Sequence, residues 1–500
     1  MQHTRQPCNH FFTTIFSPNF LYCIHFLHFI GLKIQMKKPK VFQLLQKMSG
    51  HEHKALNRFV ASSANCPRED VRKLYQTWYK SKHNFRGETL WPAVYPQRAF
   101  HLRQWRLLVS RLQKVVDHYL VASSAEEQPG IRDYLLMLAY RKRQSPYFFR
   151  RIYKKSLKRE AQAPYDIPAL LHKWQLEDAY YDYLASPDRQ QRTNLQETSD
   201  SLDHFFIANK LKQACLAHSR YLARQEDYEI KLLPLALQAI AQQPALLQIP
   251  AIAVYHACYQ AVVQEGGIHE FEHLRRTMEQ YQAGFSRASA RDIYLLATNY
   301  CIRRFNEGEE RFGAEALNLY QTALSENLLV EDGYLAESTF SNIVMLGIYA
   351  EAFDWVSGFI QEYTDKLPPK YRKALEAYSL GRLAYAQGAY TKALRQLAQV
   401  TAQAPFLYLG TKTIQIKACY EAKDLQTAEH LLYSLQAYLH RNKRLSYRRT
   451  HYLTVVQFMR RLLQLPAFDA SAKQQLITDI KDAKFLLDKA WFLDQLQEAG

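Results

Sequence analysis

The sequence contains no motif that is typical of catalysis or nucleotide binding. It has no Walker A loop, no GxGxxG turn, no GxSxG nucleophile elbow and no paired Ser/His/Asp context. Its seven cysteines are scattered and never form a CxxC pair, which argues against a disulfide framework and against a thiolate zinc site. We therefore expect a non-enzyme without catalytic residues, cofactor or metal, located in the reducing cytoplasm.

Glycine and proline are also scarce, and this scarcity favours helices over sheets. The chain has only 16 Gly and 18 Pro in 500 residues, while its apolar fraction of 48% is ordinary for a globular protein. Apolar residues recur at spacings of three and four, as in the stripe that contains Trp105, Leu108 and Leu112. The sequence therefore predicts an all-α fold.

Acidic residues are missing from the beginning of the chain. No Asp or Glu precedes Glu52, and residues 11–32 form an uncharged segment that is long enough to cross a bilayer. Residues 1–47 are therefore set apart as an N-terminal extension with three open interpretations: a mis-assigned start at Met36 or Met48, a membrane anchor, or a disordered tail. A genuine anchor at 11–32 would make the protein membrane-anchored instead of cytoplasmic.

Positive charge is concentrated in the first third of the chain. The net charge is +18, with +20 on residues 1–160 and −2 on the remainder. A basic region attracts anionic partners such as nucleic acid or an anionic membrane surface. We therefore treat residues 48–160 as a basic helical region that is a candidate for such contacts.

The densest basic stretch is RKRQSPYFFRRIYKKSLKR, at residues 141–159. We predict that a helix begins at Ser145 and Pro146. At helical spacing, one apolar arc contains Phe149, Ile152, Tyr153, Ser156 and Leu157. The other side of the helix contains Arg150, Arg151, Lys154, Lys155, Lys158 and Arg159. These six cations either contact an anionic partner or form a solvated surface, and only Tyr147 and Phe148 share their side.

A second basic stretch, residues 87–120, faintly resembles the recognition-helix region of winged-helix domains that precede tetratricopeptide arrays in some bacterial transcription regulators. The resemblance implies contacts with phosphates or bases from Arg98, Arg103, Arg106, Arg111 and Lys114. A winged helix also needs a β-hairpin after that helix, and the sequence that follows offers none. The alternative is a capping helix with its cations in water.

The segment HEFEH satisfies the HExxH zinc pattern, with His269 and His273 one helical turn apart. However, helical spacing places both histidines opposite an apolar arc. That arc contains Ile268, Phe271, Leu274, Met278 and Tyr281. We therefore predict an ordinary surface helix here and not a metal site.

Three further polar segments also have ordinary interpretations. His51 and His53 in SGHEH are expected in an exposed tail, and the acids Glu307, Glu309 and Glu310 in a solubilising connection. The basic segment LHRNKRLSYRR, at 439–449, is expected to connect two helices, with Ser446 as an N-cap.

An internal repeat is visible in the C-terminal half, in LEAYSLGRLAYAQGAYTKALRQLAQVTAQAP. Residues of this segment fall where a tetratricopeptide repeat places its small and large packing residues. This resemblance implies that Gly381 and Ala393 let two helices approach closely, while Tyr390 and Leu397 fill the space between them. The repeat packing positions are Leu380, Gly381, Ala384, Gly388, Tyr390, Ala393, Leu397 and Pro405. The next unit places Ala428 35 residues after Ala393, and degenerate earlier units contain Ala316 and Val356.

These positions resemble a divergent tetratricopeptide array over about residues 285–440. The segments FDWVSGFIQEYTDKLPPKYR, LHRNKRLSYRRTHYLTVVQFMRRLLQL and NLQETSDSLDHFFIANKLKQACLAHSR also resemble a family of uncharacterised bacterial helical-repeat proteins. This resemblance covers most of the chain beyond about residue 48. The resemblance implies a right-handed α-solenoid of antiparallel helix pairs and brings no known activity. We therefore divide the chain after residue 160 into a helical solenoid or linker region at 161–284 and a repeat region at 285–500. The repeat region ends in capping helices.

Two functional hypotheses follow. The first is a non-catalytic scaffold or adaptor that holds an unidentified protein partner in the concave groove of residues 285–440. Tyr378, Tyr385, Lys412 and Lys417 are candidate groove residues. The alternative is a nucleic-acid-associated protein, similar to a transcription regulator, that uses the basic N-terminal third. A membrane is a partner only if residues 11–32 are a genuine anchor.

Overall fold

Helices account for nearly all of the regular structure in this computed structural model. The chain divides into two units, an N-terminal unit that ends at Ile152 and a C-terminal unit that begins at Tyr153. The structure describes residues 39–498 apart from 82–85, 186–191, 225, 265–266, 402–404, 443–446, 467–468 and 485.

In the described part of the N-terminal unit, all of the regular structure is helical. Its helices are α1 (Lys40–Leu45), α2 (Gly50–Ala61), α3 (Glu69–Lys80), α4 (Gly87–Val94), α5 (Leu102–Glu127) and α6 (Pro129–Lys142). Helix α7 (Pro146–Glu160) contains the division between the two units. Proline at the first position of α6 and α7 suits a helix start, because its fixed φ is helical and no intrahelical N–H is lost there.

Aromatic side chains form the core of the N-terminal unit. Phe42 stacks on Trp78 and Trp105, with ring centroids 5.6 and 6.2 Å apart. The predicted stripe of α5 packs into this core, since Trp105, Leu108 and Leu112 are all buried. Helix α1 lies inside the segment that the sequence sets apart as an extension, yet Phe42 is fully buried. The core therefore includes residues that precede 48.

The expectation of an exposed tail is wrong for His53. Residues SGHEH begin α2, and Ser49 and Glu52 form a reciprocal capping box at its start. His53, on the next turn, is buried beside Trp78 and Tyr79, whereas His51 is exposed. The Ser-x-x-Glu spacing was the sequence signal that a helix, and not a tail, begins here.

A carboxylate at the start of α3 holds the end of α4. Asp70 accepts hydrogen bonds from the Arg68 guanidinium at 2.8 and 3.0 Å and from the Tyr95 hydroxyl at 2.6 Å. These donors, the Arg68 side chain foremost, lower the pKa of Asp70 to about 2 against the opposing effect of its burial. Tyr95 follows α4 directly, so this hydrogen bond holds the end of α4 against the start of α3.

The C-terminal unit begins within α7 and contains most of the helices in the described chain. Its first helices are α8 (Ile167–Ala185), α9 (Leu195–Arg224), α10 (Leu233–Gln242), α11 (Pro250–Cys258), α12 (Ile268–Tyr281), α13 (Arg287–Asn306) and α14 (Arg311–Ser325). They are followed by α15 (Glu337–Tyr349), α16 (Phe353–Tyr363), α17 (Arg372–Ala386), α18 (Tyr390–Ala398), α19 (Pro405–Glu421) and α20 (Leu425–Arg441). The last are α21 (Tyr447–Leu463), α22 (Ala470–Asp482) and α23 (Lys489–Glu498).

Short 3-10 and π segments join some of these helices, and a small hairpin lies between α14 and α15. Its strands, β1 (Val330–Glu331) and β2 (Tyr334–Leu335), pair antiparallel across the turn Asp332–Gly333. Both turn residues have positive φ, 49° and 82°, as a two-residue type I′ hairpin requires. The Asp-Gly pair was therefore a turn signal that helical periodicity alone does not show.

The described part of the C-terminal unit has two hydrophobic clusters. The first is continuous from Ile167 to Leu407, and it crosses residue 284, where the sequence predicts a boundary between regions. The second contains buried side chains from Leu409 to Leu496, including those of the closing helices α22 and α23. The all-α prediction is confirmed for the described chain.

The repeat residues pack closely where α17 meets α18. A Cβ added to Gly381 would lie 2.6 Å from Cγ and Cδ2 of Leu397, so only glycine fits this approach. Ala384, Ala393, Leu397 and Ala428 are buried, while Leu380 and Tyr390 are half-buried. Gly388 turns between the two helices with φ 72°, and the exposed Pro405 begins α19.

The cysteines that the structure describes are all unpaired thiols buried in the helical cores. Cys66 belongs to the N-terminal unit, and the C-terminal unit contains Cys215, Cys258, Cys301 and Cys419. Burial raises the pKa of each of these thiols above its usual value. Cys8 and Cys23 lie outside the described residues.

None of the helices in the described part of the chain has the length and apolar character needed to cross a bilayer. The uncharged segment 11–32, to which the anchor hypothesis refers, lies outside the described residues.

Candidate functional site

Three aromatic side chains stack along one face of α16. Trp355, Phe359 and Tyr363 are spaced four residues apart, which places them on successive turns of the helix. The ring centroids of Trp355 and Phe359 are 5.7 Å apart, and those of Phe359 and Tyr363 are 5.0 Å apart, with interplanar angles of 14° and 21°. Phe359 is buried against Phe340 of α15, whereas the two outer rings are half-buried.

The aromatic stack forms one wall of a cleft of about 370 Å³ between α14 and α16. Gln321 and Leu324 of α14 form the opposite wall. The residues that line the cleft from α16 are Trp355, Gly358, Phe359, Glu362 and Tyr363. The cleft therefore combines an apolar, aromatic wall with a carboxylate and an amide.

Two glycines shape the aromatic wall in different ways. Gly347 of α15 lies under α16, where an added Cβ would be 2.4 Å from Val356 and 3.4 Å from Trp355. This close approach holds the Trp355 ring against α15. Gly358 is exposed, and an added Cβ there would meet no atom within 4 Å. The cleft is open at this position because the residue has no side chain.

The charge at this cleft is negative. Helix α16 contains Asp354 and Glu362 and neither lysine nor arginine. Burial raises the pKa of Tyr363 above its usual value, and the adjacent Glu362 carboxylate raises it further. Glu362 itself is exposed at the rim. An acidic group thus lies directly beside the last ring of the stack.

The predicted groove residues have mostly intramolecular contacts. Glu421, at the end of α19, accepts hydrogen bonds from the hydroxyls of Tyr385 and Tyr390 and, at 2.6 Å, from the Trp491 indole of α23. Tyr378 packs over Gly410, where an added Cβ would lie 2.4 Å from its hydroxyl oxygen. These tyrosines connect neighbouring helices and are not free to hold a partner.

The two predicted groove lysines differ. Lys417 is buried, with its ammonium 2.7 Å from Asp488 and 4.7 Å from the centre of the Trp491 ring. Lys412 is half-buried, and its ammonium donates to Gln415 at 3.1 Å and lies 5.9 Å from the ring of Tyr408. Burial lowers the pKa of Lys412 below its usual value. Lys417 therefore has a structural role, since it joins α19 to the chain before α23.

The cationic face of α7 has the arrangement that the sequence predicts. Phe149 and Ser156 are buried, while Ile152, Tyr153 and Leu157 are half-buried. The exposed cations are Arg150, Arg151, Lys154, Lys155 and Lys158. Arg159 differs from them, because it is half-buried and 3.8 Å from Glu160.

Two aromatic rings lie beside these cations at the start of α7. Tyr147 is 70% exposed and Phe148 is 45% exposed, so both can be reached from solvent. Phe148 also stacks on Tyr140 of α6, with ring centroids 5.4 Å apart. By contrast, Tyr153 stacks on Tyr180 and donates a hydrogen bond to the buried Glu177 at 2.9 Å.

Comparisons with protein-family models, with curated proteins and with solved structures found no match. The function of this chain is therefore inferred from its own geometry.

The HExxH histidines lie on the solvated side of α12, as the helical spacing predicts. His269 and His273 are exposed, whereas Phe271, Leu274 and Met278 are buried. Burial lowers the pKa of the neighbouring His256, and the proximity of His273 lowers it further. Within the described residues, no three His, Cys, Asp or Glu side chains are grouped so that they could hold a metal ion.

The remaining candidate segments are connections or single helices. Residues 102–127 form one long helix, α5, and α6 follows directly, so no hairpin of a winged helix is present there. Glu309 pairs with Arg304 and Arg311 at 2.5 and 3.1 Å, while Glu307 and Glu310 are exposed. The basic segment 439–449 spans the end of α20 and the start of α21, and Ser446 lies outside the described residues.

The stack on α16 is the feature that the sequence interpretation missed. The sequence treats Trp355 only as part of a degenerate repeat unit. The available signal was the spacing of four between Trp355, Phe359 and Tyr363, which predicts an aromatic stripe on one helix face. The cleft itself also depends on where α14 lies, and no local pattern gives that position.

Proposed function

We propose that this chain is a non-catalytic helical-repeat adaptor and that its C-terminal unit binds a segment of a protein partner in the cleft between α14 and α16. The observation that carries the proposal is the aromatic stack of Trp355, Phe359 and Tyr363, whose two outer rings are half-buried in an open cleft. Aromatic side chains that remain accessible contribute strongly to protein recognition, because they provide large contact area with few rotatable bonds.

The packing of the helices supports the proposed α-solenoid. Helix α13 packs on α14, α15 on α16, α17 on α18 and α19 on α20, and each pair also contacts the next. The close approach at Gly381 and the left-handed turn at Gly388 support tetratricopeptide-like pairing, in line with the resemblance to the bacterial helical-repeat family. The unpaired cysteines support a cytoplasmic location.

Filling the cleft tests this proposal. In Gly358→Leu the new side chain enters the open space, and the helix keeps its packing because no atom lies within 4 Å of the added Cβ. We expect tagged full-length protein to recover a reproducible partner, Gly358→Leu to lose it, and Ser357→Ala, an exposed change on the same helix, to keep it. Equal recovery by Gly358→Leu and wild type would show that the partner does not use the cleft.

A second candidate function is supported by the cationic face of α7. Five exposed cations beside the accessible rings of Tyr147 and Phe148 are suited to phosphate contacts and to limited base stacking. Such binding would be steeply salt-dependent and would have little sequence preference, because phosphates carry no sequence information.

The test is an electrophoretic shift with full-length protein at two salt concentrations. The variant changes Arg151, Lys154 and Lys158 to Gln, and the charge-matched control changes the exposed Lys370, Lys392 and Arg395 to Gln. If α7 binds duplex DNA, the first variant should reduce the slope of log K against log salt by about 3 and the control should not. Equal effects of both variants would refute a specific role for α7.

A further inference from the structure

We infer that the cleft between α14 and α16 selects a basic segment of the partner and accepts the guanidinium group of an arginine against the aromatic stack. This inference rests on the proposed function, since it names the chemistry of the segment that the cleft would bind. It is carried by the aromatic wall, by the carboxylate at its end and by the lack of positive charge on α16.

The aromatic wall attracts cations. The face of an aromatic ring carries partial negative charge, and a planar guanidinium both stacks on it and is only weakly hydrated. Trp355 and Tyr363, at the two ends of the stack, are half-buried and line the cleft. Tryptophan is the most favourable ring for such a contact.

Other rings of this unit already have cations of the chain beside them. Arg311 lies 5.0 Å from the ring of Phe312, Lys417 lies 4.7 Å from Trp491, and Arg382 lies 5.7 Å from Tyr378. In the described part of the chain, no lysine or arginine is seated over Trp355, Phe359 or Tyr363. The two half-buried outer rings, Trp355 and Tyr363, are therefore available to a cation from another molecule.

Glu362 provides the complementary charge. Its side chain lines the cleft next to Tyr363, and it is exposed, so it can accept hydrogen bonds from an incoming guanidinium. Asp354, one helical turn before Gly358, adds negative charge on the same helix. An anionic segment would meet repulsion here and would gain no counter-charge from α16.

The size of the cleft suits side chains and not a whole helix. Its volume of about 370 Å³ lies near the lower end of the range of about 300–1,000 Å³ that is typical of small-ligand pockets. An α-helix with its side chains is about 10 Å across, so it would require a wider groove. The occupant is therefore expected to be an extended segment that inserts one or two side chains.

The first test uses a peptide probe and its neutral counterpart. The probe is acetyl-Gly-Arg-Gly-Arg-Gly-Arg-Gly-amide, and citrulline replaces each arginine in the counterpart, which removes the charge at nearly constant shape. Isothermal titration with full-length protein should give at least about tenfold weaker binding for the citrulline peptide, as expected from cation–π and charge-assisted contacts together. Equal affinity for the two peptides, or no binding of the arginine peptide, would overturn the inference.

The second test places a cation inside the cleft by mutation. Gly358→Lys puts an ammonium one helical turn before Glu362, where it can pair with that carboxylate, whereas Gly358→Gln adds a side chain of similar length without charge. We expect Gly358→Lys to weaken binding of the arginine peptide several-fold more than Gly358→Gln does. Glu362→Gln should also weaken binding of this peptide about three- to tenfold. Asp354→Asn, which removes the same charge outside the cleft lining, should weaken binding less.

The same variants separate this inference from the proposed function. One outcome is that Gly358→Leu abolishes partner recovery while Gly358→Lys and Gly358→Gln reduce binding of the arginine peptide equally. In that case the adaptor proposal stands and the arginine inference is wrong. If partner recovery is unaffected by all of the Gly358 variants, both are wrong. Circular dichroism of each variant is the control, and the helical content should match that of the wild type.

Discussion

The close approach of α17 and α18 predicts that two chemically identical substitutions will have opposite effects. Gly381→Ala and Gly358→Ala each replace an interior helical glycine, and each should gain about 0.5–1 kcal/mol from the lower backbone entropy of the unfolded chain. At Gly358 nothing opposes this gain, because no atom lies within 4 Å of the added Cβ.

At Gly381 the added methyl group meets an occupied space. Its carbon would lie 2.6 Å from Cγ of Leu397, and that side chain is only 1% exposed, so it cannot move aside into solvent. Forcing a methyl group into a filled core costs about 1–3 kcal/mol. The net result should be a destabilisation of about 1–2 kcal/mol for Gly381→Ala and a stabilisation for Gly358→Ala.

Urea titration of the full-length variants, monitored by circular dichroism, measures the free energy of unfolding of each variant, provided that the m-value is unchanged. Repeating Gly381→Ala in a Leu397→Ala background tests whether Leu397 causes the destabilisation. With Leu397→Ala the obstructing side chain is absent, so adding Gly381→Ala should become neutral or stabilising. If Gly381→Ala stabilises the otherwise wild-type chain as much as Gly358→Ala does, then α17 and α18 do not approach as closely as described.

Three further predictions concern other contacts. Because the folded pKa of Asp70, about 2, is below its ordinary value of 3.8, this carboxylate stabilises the fold above about pH 4, and the contribution is lost as pH falls to about 2. The stability difference between wild type and Asp70→Asn should therefore shrink by about 2 kcal/mol between pH 7 and pH 2, and a pH-independent difference would contradict the assigned pKa. Tyr385→Phe removes one donor to Glu421 and should cost about 1–3 kcal/mol, whereas Tyr433→Phe, an exposed control, should cost almost nothing in the same urea titration. His53→Ala should lower the thermal midpoint and His51→Ala should not, since only His53 is buried; equal midpoints would contradict its place in the core.

Local periodicity predicted the features that depend on one helix or one pair of helices. The apolar arc of α7 and the exposed side of His269 and His273 follow from spacings of three and four, which fix the face on which a side chain lies. The close approach at Gly381 was expected from the resemblance to a tetratricopeptide repeat, which places small residues where two helices pair. The start of α7 at Pro146 follows from proline geometry.

Features that depend on distant parts of the chain were not predicted. Tyr385 and Lys417 were predicted as groove residues, but their contacts include Glu421, Asp488 and Trp491, and the last two lie about 70 residues beyond Lys417. No local pattern reveals such pairs. The cleft was missed for the same reason, since α14 and α16 form its two walls and neither is unusual alone.

The buried cysteines make the two units distinguishable by chemistry. A thiol with raised pKa inside a packed core reacts with an alkylating reagent only when its surroundings open. Cys66 therefore reports opening of the N-terminal unit, while Cys215, Cys258, Cys301 and Cys419 report opening along the C-terminal unit. Pulsed alkylation with peptide mass mapping would thus time the opening of each unit in the wild-type chain, with no probe introduced by mutation.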